Sequence, residues 1–343
     1  MKTPSSEPRN LTDHASSRRP PLRPERADPP VPDYEVMGLI GAGAYGEVWL
    51  ARGVTGALRA VKVTWREDFE SDRAFEREFE GIRQFEPISR EHPGLVDVLH
   101  VGRNDERGFY YHIMELADDA LGRTEFTTLE YRPRTLSSEI RARGHVGPVD
   151  CCRYTALIAD ALHHLHRYGL AHRDIKPANV IFVDGICKLA DIGLVAATGQ
   201  RTFVGTEGYV PPEGPGTEAA DIFSLGKLLY EISTGRDRFD FPSLPEEFST
   251  ARMRRWMRLN RIICKACADQ PKQRYRDARQ MALALQRLEQ RLTARPGCLR
   301  MGWRTLWWAF LLAAGISAFR HCQSLEVEIP APEPPLVEPL PEA

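Results

Sequence analysis

His172-Arg173-Asp174-Ile175-Lys176-Pro177-Ala178-Asn179 decides how this chain is read, and Asp191-Ile192-Gly193 follows twelve residues after its last member. The octapeptide sets a carboxylate, an ammonium and a carboxamide within six residues of a loop stiffened by Pro177. An aspartate can orient a hydroxyl nucleophile and take its proton, and a nearby lysine can neutralise charge on a transferring phosphoryl group. An asparagine and a second aspartate together offer oxygen ligands to a divalent metal.

Working outward, the N-terminal side reads as strands. Tyr34 to Ile40 and Glu47 to Ala51 flank the turn Gly41-Ala42-Gly43-Ala44-Tyr45-Gly46. Glycines in such a turn let backbone N–H groups approach phosphate oxygens unobstructed. A dinucleotide-binding fingerprint shares these letters, but there the last glycine opens a helix; here it runs into a second β-like segment. Arg59-Ala60-Val61-Lys62-Val63 alternates like a strand and carries a lysine among its apolar residues. Residues 68–86 predict an amphipathic helix, with Phe75, Phe79, Ile82 and Phe85 at helical spacing and Glu76, Glu78 and Glu80 as candidates for its inward carboxylate. Residues 93–98 and Phe109 to Leu116 supply two further strand candidates, and 118–134 is a polar stretch.

On the C-terminal side the pattern becomes helical. Residues 150–168 predict a helix with Leu157, Ile158, Ala161, Leu162 and Leu165 on one face, leading into the octapeptide. His163, His164 and His166 lie on it, but only His163 and His166 share an approximate face, which argues against a metal cluster. Val180 to Phe182 and Cys187 to Ala190 predict a short hairpin closing on Asp191. Asp221 to Gly226 opens an apolar helix through Ile232, and residues 254–292 predict further helices.

Taken together these motifs resemble the protein kinase family. His172 to Asn179 matches its H-R-D-x-x-x-x-N catalytic loop, Asp191-Ile192-Gly193 stands where the family has D-F-G, and Gly41 to Val48 matches G-x-G-x-x-G-x-V. Lys176, two residues after Asp174, is the serine/threonine form. The resemblance covers about residues 34–292. It implies an α+β, two-lobed fold, with a small β-rich lobe over about 34–116 and a larger helical lobe over about 117–292. It implies ATP and Mg2+ as cofactors, with Ile40, Gly41, Ala42, Gly43, Ala44, Tyr45 and Gly46 over the phosphates. Val48, Ala60 and Ile181 would enclose adenine, Met114 would guard the rear of the pocket, and backbone groups from Glu115 to Ala117 would bond the base. Lys62, held by Glu78, would pair the α- and β-phosphates. Asn179 and Asp191 would carry magnesium, with Asp174 and Lys176 at the acceptor hydroxyl.

The resemblance also implies structural roles. Asp221 would cap the catalytic-loop backbone, Glu213 would pair with Arg274, and Thr206 would contact the catalytic loop. Arg173 is of the type that awaits a phosphate, for which Thr198 and Thr202 are the candidate self-phosphorylation sites. Ile192 in place of phenylalanine changes shape more than chemistry. Gly205-Thr206-Glu207-Gly208-Tyr209 and Pro211-Pro212-Glu213 resemble the platform for protein substrates, which favours a protein acceptor over a small molecule.

Composition sets the context. With 46 Lys and Arg against 47 Asp and Glu, nothing calls for a nucleic-acid partner. Seven scattered cysteines suit a reducing compartment, and Cys264-Lys265-Ala266-Cys267 reads as helix packing. Residues 1–33 are rich in Pro, Arg and Ser and read as disordered. Met301 to Phe319 carries Arg304 as its one charge, with Trp303, Trp307 and Trp308 as interfacial candidates, and reads as a transmembrane helix over 301–320. Arg291, Arg295 and Arg300 before it, against Glu326, Glu328 and Glu333 after it, predict a cytosolic kinase domain and an outer Pro/Glu-rich tail over 321–343, in a single-pass inner-membrane protein. Ala309, Ala313 and Ser317 on one face would support homodimer pairing. The expectation is therefore a membrane-anchored serine/threonine kinase acting on proteins. The rival expectation is a weak pseudokinase serving as a membrane-tethered scaffold.

Overall fold

The computed structural model describes residues 28–43, 46–191, 196–197, 205–245 and 248–294. The segments 301–320 and 321–343, residues 1–27, and Ala44, Tyr45, Ile192, Thr198 and Thr202 lie outside the described residues. Among the described residues no helix is long and apolar enough to cross a membrane.

The small lobe is an antiparallel five-stranded sheet. Its strands are β1 (Tyr34–Gly43), β2 (Gly46–Gly53), β3 (Leu58–Trp65), β4 (Val98–Asn104) and β5 (Phe109–Met114), in the order β1-β2-β3-β5-β4. Strand β4 begins at Val98, not at residue 93 as the sequence predicts. His92 to Leu95 instead forms a turn closed by the Leu95 N–H donating to the His92 carbonyl, with the His92 ring accepting from the Gly94 N–H. The N-terminal boundary also moves: Val31 is buried with Trp49, Val61 and Tyr111 on the sheet's outer face, so packed structure starts before Tyr34.

Helix α1 (Asp72–Ser89) starts later than predicted because Ser71 caps it, accepting the Ala74 N–H. It buries Phe75, Ile82, Phe85 and Ile88, each worth about 1.5–3 kcal/mol when fully withdrawn from water. These side chains join a core continuous with the large lobe, which ties α1 to both halves.

The large lobe contains α2 (Leu136–Arg143), α3 (Pro148–Arg167), α4 (Glu218–Thr234), α5 (Thr250–Ala266) and α6 (Ala278–Thr293). Two-residue strands β6 (Leu170–Ala171) and β9 (Ala196–Ala197) pair, as do β7 (Val180–Val183) and β8 (Ile186–Leu189), the predicted hairpin. Helix α4 is apolar nearly all round and buried, as a central helix must be. It crosses α5 so closely that a Cβ on Gly226 would lie 2.7 Å from Cys267 Sγ. The sequence carries no periodic signal for the short helix α2. Its apolar content is slight, and it is specified instead by a capping box between Thr135 and Ser138.

Candidate active site

The catalytic loop is a strained backbone held by one buried carboxylate. Arg173 has φ 72° and Asp191 φ 62°, the left-handed region that costs a non-glycine residue about 1–2 kcal/mol. Asp221, at the first turn of α4, offsets this by accepting the N–H groups of His172 at 2.8 Å and Arg173 at 2.9 Å. His166 Nε2 donates to the same carboxylate at 2.9 Å. Burial tends to raise the Asp221 pKa, but the His166 bond, the adjacent His172 and the Arg173 N–H bring it below its ordinary value. The cap on the catalytic loop was legible from sequence. His166 as its third partner was not, because a histidine among histidines on a helix carries no signal for a contact 55 residues away.

Asp174 is thereby aimed and its oxygens divided between neighbours. Thr206 Oγ1 donates to Oδ1 at 2.6 Å, while Lys176 Nζ and Asn179 Nδ2 donate to Oδ2 at 2.7 and 2.9 Å. Lys176 also donates to Thr206 Oγ1 at 2.9 Å, closing a ring of three side chains. Asn179 spends its N–H donors on the Asp174 carboxylate and carbonyl, which leaves its amide oxygen as the group available to a cation. With the Asp191 carboxylate this is a hard-oxygen donor set that fits Mg2+.

Lys62 sits on β3 opposite His112 of β5, and its ammonium is paired with Asp191. The predicted Lys62–Glu78 ion pair is not made within 4 Å among the described residues. Glu78 is instead half-buried on α1, and burial pushes its carboxyl up to about 7 despite the attraction of Arg77 and Lys62. His112 lies fully buried on the same side as Lys62. Burial and then the lysine charge pull its pKa down to about 3, so its ring is neutral. The position gave no sequence signal beyond an apolar strand.

Ahead of these groups is a cavity of about 970 Å³. Ala60, Met114, Val96 and Ala190 form a small apolar cluster with Val48, Leu116 and Ile181 packed against it, the predicted slot for a flat base. Ile40, Gly41, Ala42, Gly43 and Gly46 roof the cavity. Gly46 has φ 128°, and a Cβ there would lie 2.3 Å from the Val63 carbonyl oxygen, so only glycine lets β1 turn into β2. At the connection between the lobes, Glu115 binds Lys188 through both carboxylate oxygens and accepts the Asp97 N–H. Its side chain is thus structural, and only its backbone remains for a ligand.

The polar stretch 118–134 folds into a strap. Asp119 is buried, accepting from the Arg123 guanidinium and the N–H groups of Leu121 and Arg132. The Tyr131 hydroxyl donates to the Ala117 carbonyl at 2.9 Å, and Thr128 Oγ1 reaches the Met37 carbonyl of β1 at 3.4 Å. The strap therefore joins the lobe connection to the strand that precedes the glycine turn. At the far end, Arg274 forms the expected ion pair with Glu213, with Nη2 2.9 Å from Oε2.

Comparison with known proteins agrees with this geometry. Over 270 residues the chain is 29% identical to the serine/threonine-protein kinase PrkC of Bacillus subtilis, covering 72% of this chain and 39% of that protein. It is 33% identical over 220 residues to the DNA damage-responsive serine/threonine-protein kinase RqkA of Deinococcus radiodurans (60% and 30% of the two chains), and 28% identical over 281 residues to the serine/threonine-protein kinase PknB of Mycobacterium leprae (74% and 43%). The chain thus spans less than half the length of each of these relatives. Residues 34–303 match the protein kinase domain. With that match and the arrangement of Asp174, Asn179, Asp191 and Lys62, the chain belongs to the protein kinase family.

Proposed function

We propose that the chain is a serine/threonine protein kinase that transfers the γ-phosphoryl group of Mg-ATP to hydroxyls of other proteins. The observation that carries this is the ring of Asp174, Lys176 and Thr206 in the cavity whose other end is the apolar slot of Val48, Ala60 and Ile181. Asp174 is oriented to receive a hydroxyl and its proton. Lys176 stands beside it as a positive charge, and Lys62 supplies a second one across the cavity. Asn179 and Asp191 would hold Mg2+, which supplies charge neutralisation at the phosphates when bound. Catalysis on this reading is positioning and electrostatic stabilisation with no covalent intermediate.

The test is transfer of labelled γ-phosphate from Mg-ATP to the chain itself and to a generic protein acceptor, with Asp174→Asn alongside. Label in the parent and a loss of about 10²–10⁴-fold in the variant is the expected result. A scaffold reading is favoured by one observation, the separation of Glu78 from Lys62. ATP binding with no transfer under any condition would establish it.

Three finer features belong to the same proposal. The segment 301–319, with its tryptophans and flanking charge asymmetry, supports a single membrane span with the kinase domain cytosolic and the tail outside. Extraction by alkaline carbonate, or protection of the C-terminal tail from protease in the inverse orientation, would overturn it. Arg173 beside Asp174 supports self-phosphorylation at Thr198 or Thr202; an active sample with both threonines unmodified by mass mapping would remove that feature. The small-residue row Ala309, Ala313 and Ser317 supports pairing of two copies, which crosslinking in membranes would test.

A further inference from the structure

The cavity does not end at the phosphoryl-transfer residues. It continues past Asp174 and Thr206 along α2 to Arg141, and along the strap to Arg132. Both arginines are exposed, and neither has a carboxylate within 4 Å among the described residues. The reason lies in how nearby acids are committed. Glu139, the one acid of α2, is shared between Arg134 and Arg143. Asp119 is saturated by Arg123 and backbone N–H groups, and among the described residues the Arg132 guanidinium donates only to the carbonyls of Leu129 and Tyr131.

The carboxylates that line the cavity are engaged in the same way: Glu115 by Lys188, Asp174 by Lys176 and Asp191 by Lys62. Residues 192–204 contain no Asp or Glu and one Arg, and the next acid, Glu207, lies just beyond the cavity lining. A polypeptide entering toward Asp174 therefore meets two uncompensated guanidinium groups and, among the described residues that line the cavity, no carboxylate without a lysine partner. These groups are also preorganised. The Arg132 backbone is pinned by its N–H to Asp119 Oδ1 at 3.0 Å and its carbonyl to the Ala120 N–H at 2.7 Å, and Arg141 rides on a helix fixed by its capping box.

From this, and resting on the kinase reading above, we propose that Arg132 and Arg141 are specificity-determining residues that select acidic protein segments, with Asp or Glu close to the acceptor hydroxyl. Guanidinium forks suit carboxylates, and unpaired cations at a cleft mouth attract acidic partners and repel basic ones.

The experiment uses the full chain and two peptides of equal length, each with one acceptor hydroxyl, flanked either by Asp and Glu or by Lys and Arg. Transfer kinetics and binding by fluorescence anisotropy are both read. Expected for the parent is a preference of about tenfold in kcat/KM for the acidic peptide, with binding that weakens as salt rises. Arg132→Glu and Arg141→Glu should each raise KM for the acidic peptide by roughly threefold to fivefold, leaving kcat and the KM for ATP unchanged. The double variant should reverse the preference. Lysine at either position should retain part of it, and Arg258→Glu on α5, matched in charge change, should leave it unaltered. Equal or better use of the basic peptide by the parent would overturn the proposal while leaving the kinase reading intact. So would a double variant that affects both peptides alike. Charge-selective binding of the acidic peptide that responds to these variants, with no transfer to either peptide, would sustain the selection of acidic segments by Arg132 and Arg141 and sink the kinase reading instead. Neither transfer nor selective binding would sink both.

Discussion

Lys62 is held by Asp191, while Glu78, the acid of α1 expected to grip it, makes no ion pair within 4 Å among the described residues. The difference has an electrostatic consequence. Asp191 offers a full negative charge, its carboxyl kept below the ordinary range by Lys62, Lys176 and His172 against the opposing effect of burial. Glu78 is desolvated without a donor, so its carboxyl is pushed up to about 7.

A pH dependence follows with a definite sign. The folded-state pKa of Glu78 is raised, so the folded chain binds this proton more tightly than the unfolded one. Its effect on stability is neutral below about 4.5 relative to an uncharged residue and turns unfavourable as pH climbs toward 7, where the buried charge appears. Glu78→Gln should therefore gain stability over the parent between pH 5 and 8, by an amount on the order of 2–3 kcal/mol at the upper end. Urea melts at several pH values measure this; parallel curves for parent and variant would refute it.

Asp221 gives the opposite sign. Its pKa is lowered in the fold, so its contribution is complete above about 3.8 and is lost as pH falls through the lower folded value. Asp221→Ala leaves the His166 ring and the N–H groups of His172 and Arg173 buried without their acceptor. A loss of about 3–5 kcal/mol is expected, seen as a lower denaturant midpoint at neutral pH and a difference from the parent that shrinks in acid.

Much of this site could be read in advance because the chemistry is concentrated in short contiguous motifs. Asp174, Lys176 and Asn179 lie in one loop, and the Asp191 and Gly41–Gly46 segments carry their own spacing, so local sequence was enough to bring them together. Asp221 and the Glu213–Arg274 pair followed from the same family pattern. What stayed hidden depended on contacts between distant elements. The choice of Asp191 over Glu78 as partner for Lys62 is a matter of where α1 sits, which no helical period encodes. The strap 118–134 has neither strand alternation nor an apolar face. Its order comes from one buried aspartate, whose role is visible only once Arg123 and Arg132 are seen around it. The sequence places the start of β4 too early because Leu95 and Val96 are apolar for a different reason: Leu95 bridges β8 and Val96 fills the base slot.

The strap should stabilise the lobe connection measurably. Tyr131→Phe removes one hydrogen bond to the Ala117 carbonyl and should cost about 1 kcal/mol. Asp119→Ala should cost more, roughly 2–4 kcal/mol, because it strands Arg123 and several backbone donors. Thermal melts would show the order. If the strap also steadies β1 through Thr128, Asp119→Ala should weaken nucleotide binding, read by titration with a fluorescent ATP analogue. Equal affinity in parent and variant would confine the strap to stability.

Thr206 offers the sharpest separation between positioning and packing. Its hydroxyl donates to Asp174 at 2.6 Å and accepts from Lys176 at 2.9 Å, so it fixes both groups relative to the acceptor. Thr206→Val keeps the side-chain volume but removes the hydroxyl, freeing Asp174 and Lys176 to pair in other geometries. Turnover should fall by about 10–100-fold, while the KM for ATP and the thermal midpoint change little, since the base slot and the Asp191 region do not touch this residue. Thr206→Ser restores the hydroxyl and should recover most of the rate. A serine variant as slow as the valine one would mean that the methyl group, packed against the catalytic loop, matters more than the hydrogen bonds.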